Sequence, residues 1–461
     1  MLRPQLLAAA LLMAPLASLS AQLGQPARLT LADAFRAADG GAYANRIAIA
    51  DADAQSAQAL APFKGILPTL RVEAGAMATT DPIGAFGTIL RQRAITAADF
   101  NPATLNFPEP ARNRMAALVM EQPIFNADAW TGRRAATAAA DATHAMAGWT
   151  RSSTRIEVVR AYYGATLATE VRETLKAATR AADAHVARAK ALADTGLVTR
   201  SDALLAQVRA GEITARYLEA TSDADYAERG LAVLLGAQTL PAAIPAALPT
   251  SERIRTLAAA DSASDAPAAM RDDVRAATAA LSAASADALR AKSLYLPRLN
   301  GFARYDWNDP TGFFANERAW TVGVMATWTP FAGGSEIAEV RTTNARTAAA
   351  EARHEAANAQ ATLALTRSHD RVQLALAQLA IAEQNVEQAT EAHRIVARKY
   401  DGGISTISEL LEASAGETQS RLMQAVARYQ LILATAERRA ALGADLASLT
   451  ALDADTTSNS R

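Results

Sequence analysis

Two Ala-rich tracts, residues 128–194 and 335–401, constrain this chain most, because charged residues are interspersed through them and Gly and Pro are almost absent. Alanine loses no side-chain rotamer entropy on entering a helix, so such composition favours long α-helices. At 1.5 Å rise per residue each tract would reach about 100 Å, far beyond what a globular core can cover. In the second tract Leu365, Val372, Leu379, Val386, His393 and Tyr400 recur at a seven-residue interval, with Leu376 four after Val372. That spacing is a coiled-coil seam. In the first, Ile156, Val159, Tyr163, Leu167, Val171 and Leu175 recur every three or four residues and give a looser, continuous apolar face.

A coiled coil alone says little about function; repetition says more. Setting Gly196 against Gly403 aligns residues 196–206 (GLVTRSDALLA) with 403–413 (GISTISELLEA), and glycine, threonine, serine, acid, leucine and alanine coincide at six positions. Two stretches outside the tracts, 67–125 and 296–331, carry much of the Pro, Gly and aromatic content and read as strands and turns. They repeat as well: Leu67, Pro68, Thr69, Leu70 is answered by Leu296, Pro297, Arg298, Leu299, and Gln122, Pro123, Ile124, Phe125 by Trp328, Thr329, Pro330, Phe331. Each half therefore reads helix, strand pair, long helix, Gly turn, helix. Residues 236–267, rich in Ala, Pro and Thr, read as the linker between halves, and residues 453–461 as a disordered tail.

The charge balance is even, 46 Lys plus Arg against 47 Asp plus Glu, which gives no bias toward nucleic acid. Cysteine is absent, removing disulfides, thiolate sites and a lipidated N-terminal cysteine. Arg3 precedes an apolar run over residues 6–16, followed by Ala17, Ser18, Leu19, Ser20 and Ala21, the three-part layout of a secretory signal cleaved near Ser20 or Ala21. An anchoring helix would need about 18 apolar residues or more, and no later segment supplies them either. A membrane role must then be carried by strands.

Trp320, Val322, Val324, Ala326 and Trp328 alternate with Thr321, Gly323, Met325 and Thr327, the period-two pattern of a lipid-facing strand with aromatics at both ends. Leu299, Gly301, Ala303, Tyr305 and Trp307 alternate likewise with Asn300, Phe302, Arg304 and Asp306. Weaker strands fall at 70–77 and 115–124. A soluble hairpin packed on a helix would also alternate. Four strands cannot close a barrel and no open edge can face lipid, so several chains must share one; three chains would supply twelve strands, enough for an aqueous bore. The loop over 81–110, with Phe86, Phe100, Phe107, Pro82, Pro102, Pro108 and Pro110, is too long for a hairpin turn and suits the extracellular side, with 308–316 as its shorter counterpart.

In the doubled strand pairs opened by Leu-Pro-x-Leu, the Gln-Pro-Ile-Phe and Trp-Thr-Pro-Phe-Ala-Gly-Gly closures and the doubled Gly turns, the chain resembles the TolC family of outer-membrane efflux proteins. One departure is that the family's usual Asn-Pro after the first short helix is replaced by Asp39, Gly40, Gly41, Ala42 and Tyr43. The resemblance implies an α+β membrane protein, a homotrimer with a 12-stranded β-barrel, four strands per chain, continuous with a long α-helical coiled-coil barrel. It implies a Gram-negative outer-membrane location and a periplasmic extension. Implied partners are outer-membrane lipid, a periplasmic adaptor and an inner-membrane pump of the RND or ABC type, with substrates passing unaltered and no cofactor. The expected organisation is a signal peptide at 1–21, an N-terminal helical segment at 22–66, a first membrane hairpin at 67–127 and a first periplasmic helical hairpin at 128–235. An equatorial linker at 236–267, a helix at 268–295, a second membrane hairpin at 296–334, a second periplasmic hairpin at 335–445 and a tail at 446–461 complete it.

By the same resemblance Gly196, Leu197, Val198 and Gly403, Ile404, Ser405 are adaptor-docking tips, beyond the helix-ending role that glycine's access to positive φ already explains. Asp202, Glu409 and Glu412 resemble the periplasmic constriction, since threefold symmetry would make each a ring of carboxylates; each alone would be an ordinary solvated helix residue. Tyr400 matches a position that locks the closed state. Its usual basic partner falls at the uncharged Ser405, which leaves Arg200 as the candidate substitute. Tyr305, Trp307, Trp320 and Trp328 are the expected membrane-facing aromatics. The five histidines (His144, His185, His354, His369, His393) show no metal spacing, and no catalytic triad, phosphate loop or carboxylate pair stands out. The rivals are an outer-membrane component of metal-ion export, a periplasmic coiled-coil scaffold without a channel, and a secreted helical enzyme.

Overall fold

The computed structural model describes residues 28–262, 271–314 and 317–453. The expected signal peptide, the end of the inter-half linker and the tail after Asp453 lie outside the described residues.

The helices come in matched sets. α1 (Leu31–Gly41) and α2 (Tyr43–Gln58) lead into β1 (Thr69–Thr79), α3 (Pro82–Arg91), α4 (Pro102–Asn106) and β2 (Ala111–Phe125). α5 (Ala127–Asp194) and α6 (Arg200–Leu234) close the first half; α7 (Ser251–Ser262) and α8 (Asp272–Ser293) open the second. β3 (Arg298–Asp309), β4 (Glu317–Thr327), α9 (Ser335–Asp401) and α10 (Ile407–Ala441) follow. α5 and α9 hold 68 and 67 residues, and α6 and α10 hold 35 each, so the repeat read from the Gly turns is a repeat of lengths. Each long helix folds back on its shorter partner, α5 on α6 and α9 on α10, while α2 and α8 pack along the other end of α5. Among the described residues no helix is long and apolar enough to cross a membrane.

The expected seams are the buried ones. Val159, Tyr163 and Leu175 of α5 and Val372, Leu379 and Tyr400 of α9 are buried. The main core gathers midway along the molecule, where Tyr162 and Tyr163 meet Leu231, Leu379, Leu431 and Ile432. Here the segment read as linker is not merely a connection: Ile254 of α7 is fully buried in the same core. The tail expectation is corrected as well. Residues Leu446–Leu452 form a 3-10 helix whose Leu446, Leu449 and Leu452 are buried at the three-residue spacing of that helix, and Asp453, expected in the disordered tail, is fixed by hydrogen bonds.

The strands form one antiparallel sheet in the order β1-β2-β3-β4. The strands run longer than their alternation implied, because β2 pairs with β1 on one side and β3 on the other and each ladder extends its neighbour. Register aligns Val72, Leu118, Tyr305 and Trp320 across all four strands, so one face is apolar over most of its length, with Arg112, Arg114 and Arg318 at one end. The 81–110 segment is not an irregular loop. Pro82 and Pro102 open helices whose first turns are capped by Asp81 and Asn101, so prolines that read as loop markers are helix starts.

Candidate functional site

Each helical hairpin turns at its far tip on one glycine. Gly196 and Gly403 stand at φ 75° and 73°, and the N–H of the next residue, Leu197 or Ile404, reaches back to Leu192 O at 2.9 Å or Lys399 O at 2.8 Å. This is a Schellman ending, which needs a left-handed residue and favours glycine. A threonine then starts the return helix in both halves. Thr199 Oγ1 accepts from Asp202 N at 3.2 Å, and Asp202 Oδ2 accepts from Thr199 N at 3.0 Å. Thr406 Oγ1 accepts from Glu409 N at 3.3 Å, and Glu409 Oε2 accepts from Thr406 N at 3.2 Å and from the Ser405 hydroxyl. The two expected constriction acids are thus the reciprocal halves of two capping boxes. The Ser405 hydroxyl, aided by Thr406 N–H, holds the Glu409 carboxyl below its ordinary value, so this exposed acid is kept ionised. Glu412 lies one turn on, exposed, where its charge reaches Arg209 of α6.

Between these turns the chain is apolar and open. Leu197 is 74% and Ile404 80% exposed, one at each tip. Behind them a small core joins the two hairpins: Ala189, Ala203, Ala206, Tyr400, Ile407 and Leu410. Tyr400 is 6% exposed, and its hydroxyl has no hydrogen-bond partner among the described residues. Burial raises its pKa; nearby Arg188 opposes the rise and Asp202 and Asp401 add to it. The basic group beside Tyr400 is therefore Arg188, whose guanidinium lies 5.8 Å from the ring centroid and pairs with Asp401 at 2.6 Å. Arg200, the candidate from sequence, stays exposed. Further up the same seam the His185 and His393 rings sit 6.3 Å apart, and His393 Nδ1 meets Glu417 Oε2 at 2.5 Å. Among the described residues no group of three or more His, Cys, Asp or Glu could hold a metal ion.

At the opposite end the sheet has two chemically distinct faces. Tyr305, Trp307 and Trp320 share the apolar face, Tyr305 directly opposite Trp320, and Tyr305 meets Trp307 edge-on with centroids 4.7 Å apart. Trp328 lies just past β4, with its indole N–H on Tyr295 O at 3.0 Å. On the other face Arg304 pairs with Glu73 at 3.1 Å and Asp306 at 2.8 Å, and Asn300 with Glu121 at 2.9 Å. Apolar outside and hydrogen-bonded charge inside is the chemistry of a strand set enclosing water within lipid. β1 and β4 are open edges of this sheet, which lipid does not tolerate.

A water-lined membrane sheet continued by helical hairpins defines a membrane conduit. A family model described as outer membrane efflux protein matches residues 42–237 and again 265–444, so the chain belongs to that family. Among solved structures it is similar to the outer membrane protein VceC of Vibrio cholerae, with TM-score 0.74 and 19% identity, covering 90% of this chain and 96% of that one. It is similar to the CmeC outer membrane channel of Campylobacter jejuni, with TM-score 0.73 and 16% identity over 95% and 94%. It is also similar to the open-state MtrE outer membrane channel of Neisseria gonorrhoeae, with TM-score 0.69 and 17% identity over 90% and 89%. No curated protein matches the chain. Members of this family are homotrimeric outer-membrane channels, so the chain is a channel subunit of the Gram-negative outer membrane and not an enzyme.

Proposed function

We propose that three copies of this chain form the exit duct of a tripartite efflux or type I secretion system. The duct passively carries substrates from a periplasmic adaptor and an inner-membrane pump to the exterior. The observation that carries this reading is the doubled tip: two identical turns, each exposing one large aliphatic residue, Leu197 or Ile404, beside a capping acid. Two exposed aliphatic residues held on ordered turns give a partner's helical hairpin apolar surface to bury. In this reading Gly196, Leu197, Val198, Gly403, Ile404 and Ser405 receive the adaptor. Asp202, Glu409 and Glu412, with Tyr400 behind them, form the closed entrance, where acid rings favour cations.

The test uses purified trimers in planar bilayers. Changing Asp202, Glu409 and Glu412 to Ala raises single-channel conductance, while Asp202→Asn with Glu409→Gln keeps the caps and lowers cation preference. Conductance and selectivity equal to the parent would take these acids out of the constriction. Gly403→Trp leaves trimers intact and weakens adaptor co-purification; undiminished adaptor recovery would remove the tip from the docking surface.

A further inference from the structure

Among the described residues five helix ends share one hydrogen-bond pattern, and one of them breaks the rule for the residue it needs. Gly196, Gly236, Gly403 and Gly443 occupy the left-handed position at φ 71° to 75°. At the end of α3 the same position is Arg93, at φ 52°, with Arg93 N on Leu90 O at 3.0 Å and Ala94 N on Ile89 O at 3.1 Å. A left-handed conformation costs a side-chain-bearing residue about 1 kcal/mol that glycine avoids. An arginine held there is explained by what its side chain does.

That side chain crosses the sheet. Arg93 follows β1, yet its Nε lies 3.2 Å from Glu317 Oε2 and its Nη2 3.3 Å from Arg318 O, both on β4 at the opposite edge of the sheet. Next to it Gln92 Nε2 donates to Arg112 O at 2.7 Å and reaches Asn113 Oδ1 at 3.0 Å. The face involved is the polar one. Asn113 bonds Asn308 at 2.9 Å, and Asn308 stands opposite Glu317 in register. Burial agrees: Ala111 and Asn113 on that face are covered, while Arg112 and Arg114 on the lipid face are exposed. α3 supplies the cover, with Ala85 fully buried and Thr88 nearly so. Its other side carries Ile83, 85% exposed, and Leu90, 55% exposed, on the side opposite the buried Ala85.

We infer that α3 is an exit constriction: a helix folded over the bore at the extracellular mouth, strapped across it by Gln92 and Arg93, and presenting Ile83 and Leu90 toward the axis. The inference rests on the duct reading. In a trimer, three such helices would converge and ring the mouth with apolar side chains, and an apolar ring resists wetting and ion passage. Solutes would then meet a second barrier after the tip, one set by this chain alone and independent of any adaptor.

The chain has no cysteine, so a single thiol reports on the bore. Thr321, opposite Arg304 on the polar face and deeper than Glu317, is changed to Cys, and intact cells are treated from outside. A small methanethiosulfonate reagent should label it in every background. A maleimide on a bulky polyethylene glycol should label it slowly with the strap intact, and about tenfold faster in Arg93→Gly or Gln92→Ala. Arg93→Gly is the decisive variant, because glycine accepts the left-handed turn and α3 keeps its end; trimer recovery confirms assembly. Equal rates for the bulky reagent in all backgrounds would overturn the constriction. Failure of the small reagent everywhere would mean that the sheet encloses no bore, and the duct reading itself would fall.

Discussion

Asp453 ties the end of the chain to its beginning, and removing its carboxylate has a calculable effect. Its Oδ2 accepts from Leu31 N at 2.7 Å, 422 residues away, and from the Tyr162 hydroxyl at 3.0 Å; Oδ1 accepts from the Tyr163 hydroxyl at 3.2 Å. Leu31, Tyr162 and Tyr163 are all buried, so each of these donors depends on the acceptor beside it. In Asp453→Ala the Tyr162 hydroxyl redirects to Leu29 O, which already lies 2.8 Å away. Leu31 N–H and the Tyr163 hydroxyl are left without acceptors. At about 1.5 kcal/mol for each orphaned buried donor the loss is about 3 kcal/mol, or roughly a hundredfold in a local opening equilibrium. The readout is amide hydrogen exchange in detergent-solubilised trimers. Exchange in α1 (Leu31–Gly41) should accelerate roughly a hundredfold, while the tip helices keep parental rates. Unchanged α1 protection would show that the carboxylate does not hold the N-terminal helix, and uniform acceleration everywhere would show a global rather than a local fault.

The same carboxyl predicts a pH dependence. Burial holds it above its ordinary value, so between that value and the raised one the folded chain carries the extra proton. The stability it contributes is full at low pH and declines as pH rises through the folded value; Asp453→Asn should flatten that part of the α1 exchange profile, and an unaltered profile would assign the slope elsewhere. Two left-handed glycines should also part company. A Cβ on Gly236 would lie 2.2 Å from Gly41 O, whereas one on Gly196 meets nothing within 4 Å. Gly196→Ala should therefore cost about 1 kcal/mol and Gly236→Ala several times as much in trimer thermal stability, and equal costs would refute the steric account.

Much of this architecture is written locally, and what escaped the sequence reading is what depends on distant partners. The seven-residue recurrence through Val372 and Leu379 and the alternation about Trp320 each describe one element facing one environment, and both survive in the structure. The doubled Thr-x-x-acid pattern at Thr199 and Thr406 was also legible. It shows why Asp202 and Glu409 coincide across the repeat: each closes a capping box. Arg188 could not be singled out, because Tyr400 meets it only once the two hairpins lie side by side. Arg93 is similarly silent, since its partners on β4 stand 225 residues on and a left-handed arginine leaves no compositional trace. Asp453 sits in a polar, weakly hydrophobic ending whose composition hides a single acid with two tyrosine partners.

The open edges of β1 and β4 carry a genetic consequence. Each seam of the barrel joins β4 of one subunit to β1 of the next, so a subunit with a damaged edge spoils contacts on a sound neighbour. When altered and normal copies are made together, most assemblies will include at least one altered chain. Edge-strand lesions in this protein should therefore act dominantly, whereas lesions in α1 or the closing 3-10 helix, which are satisfied within one chain, should act recessively.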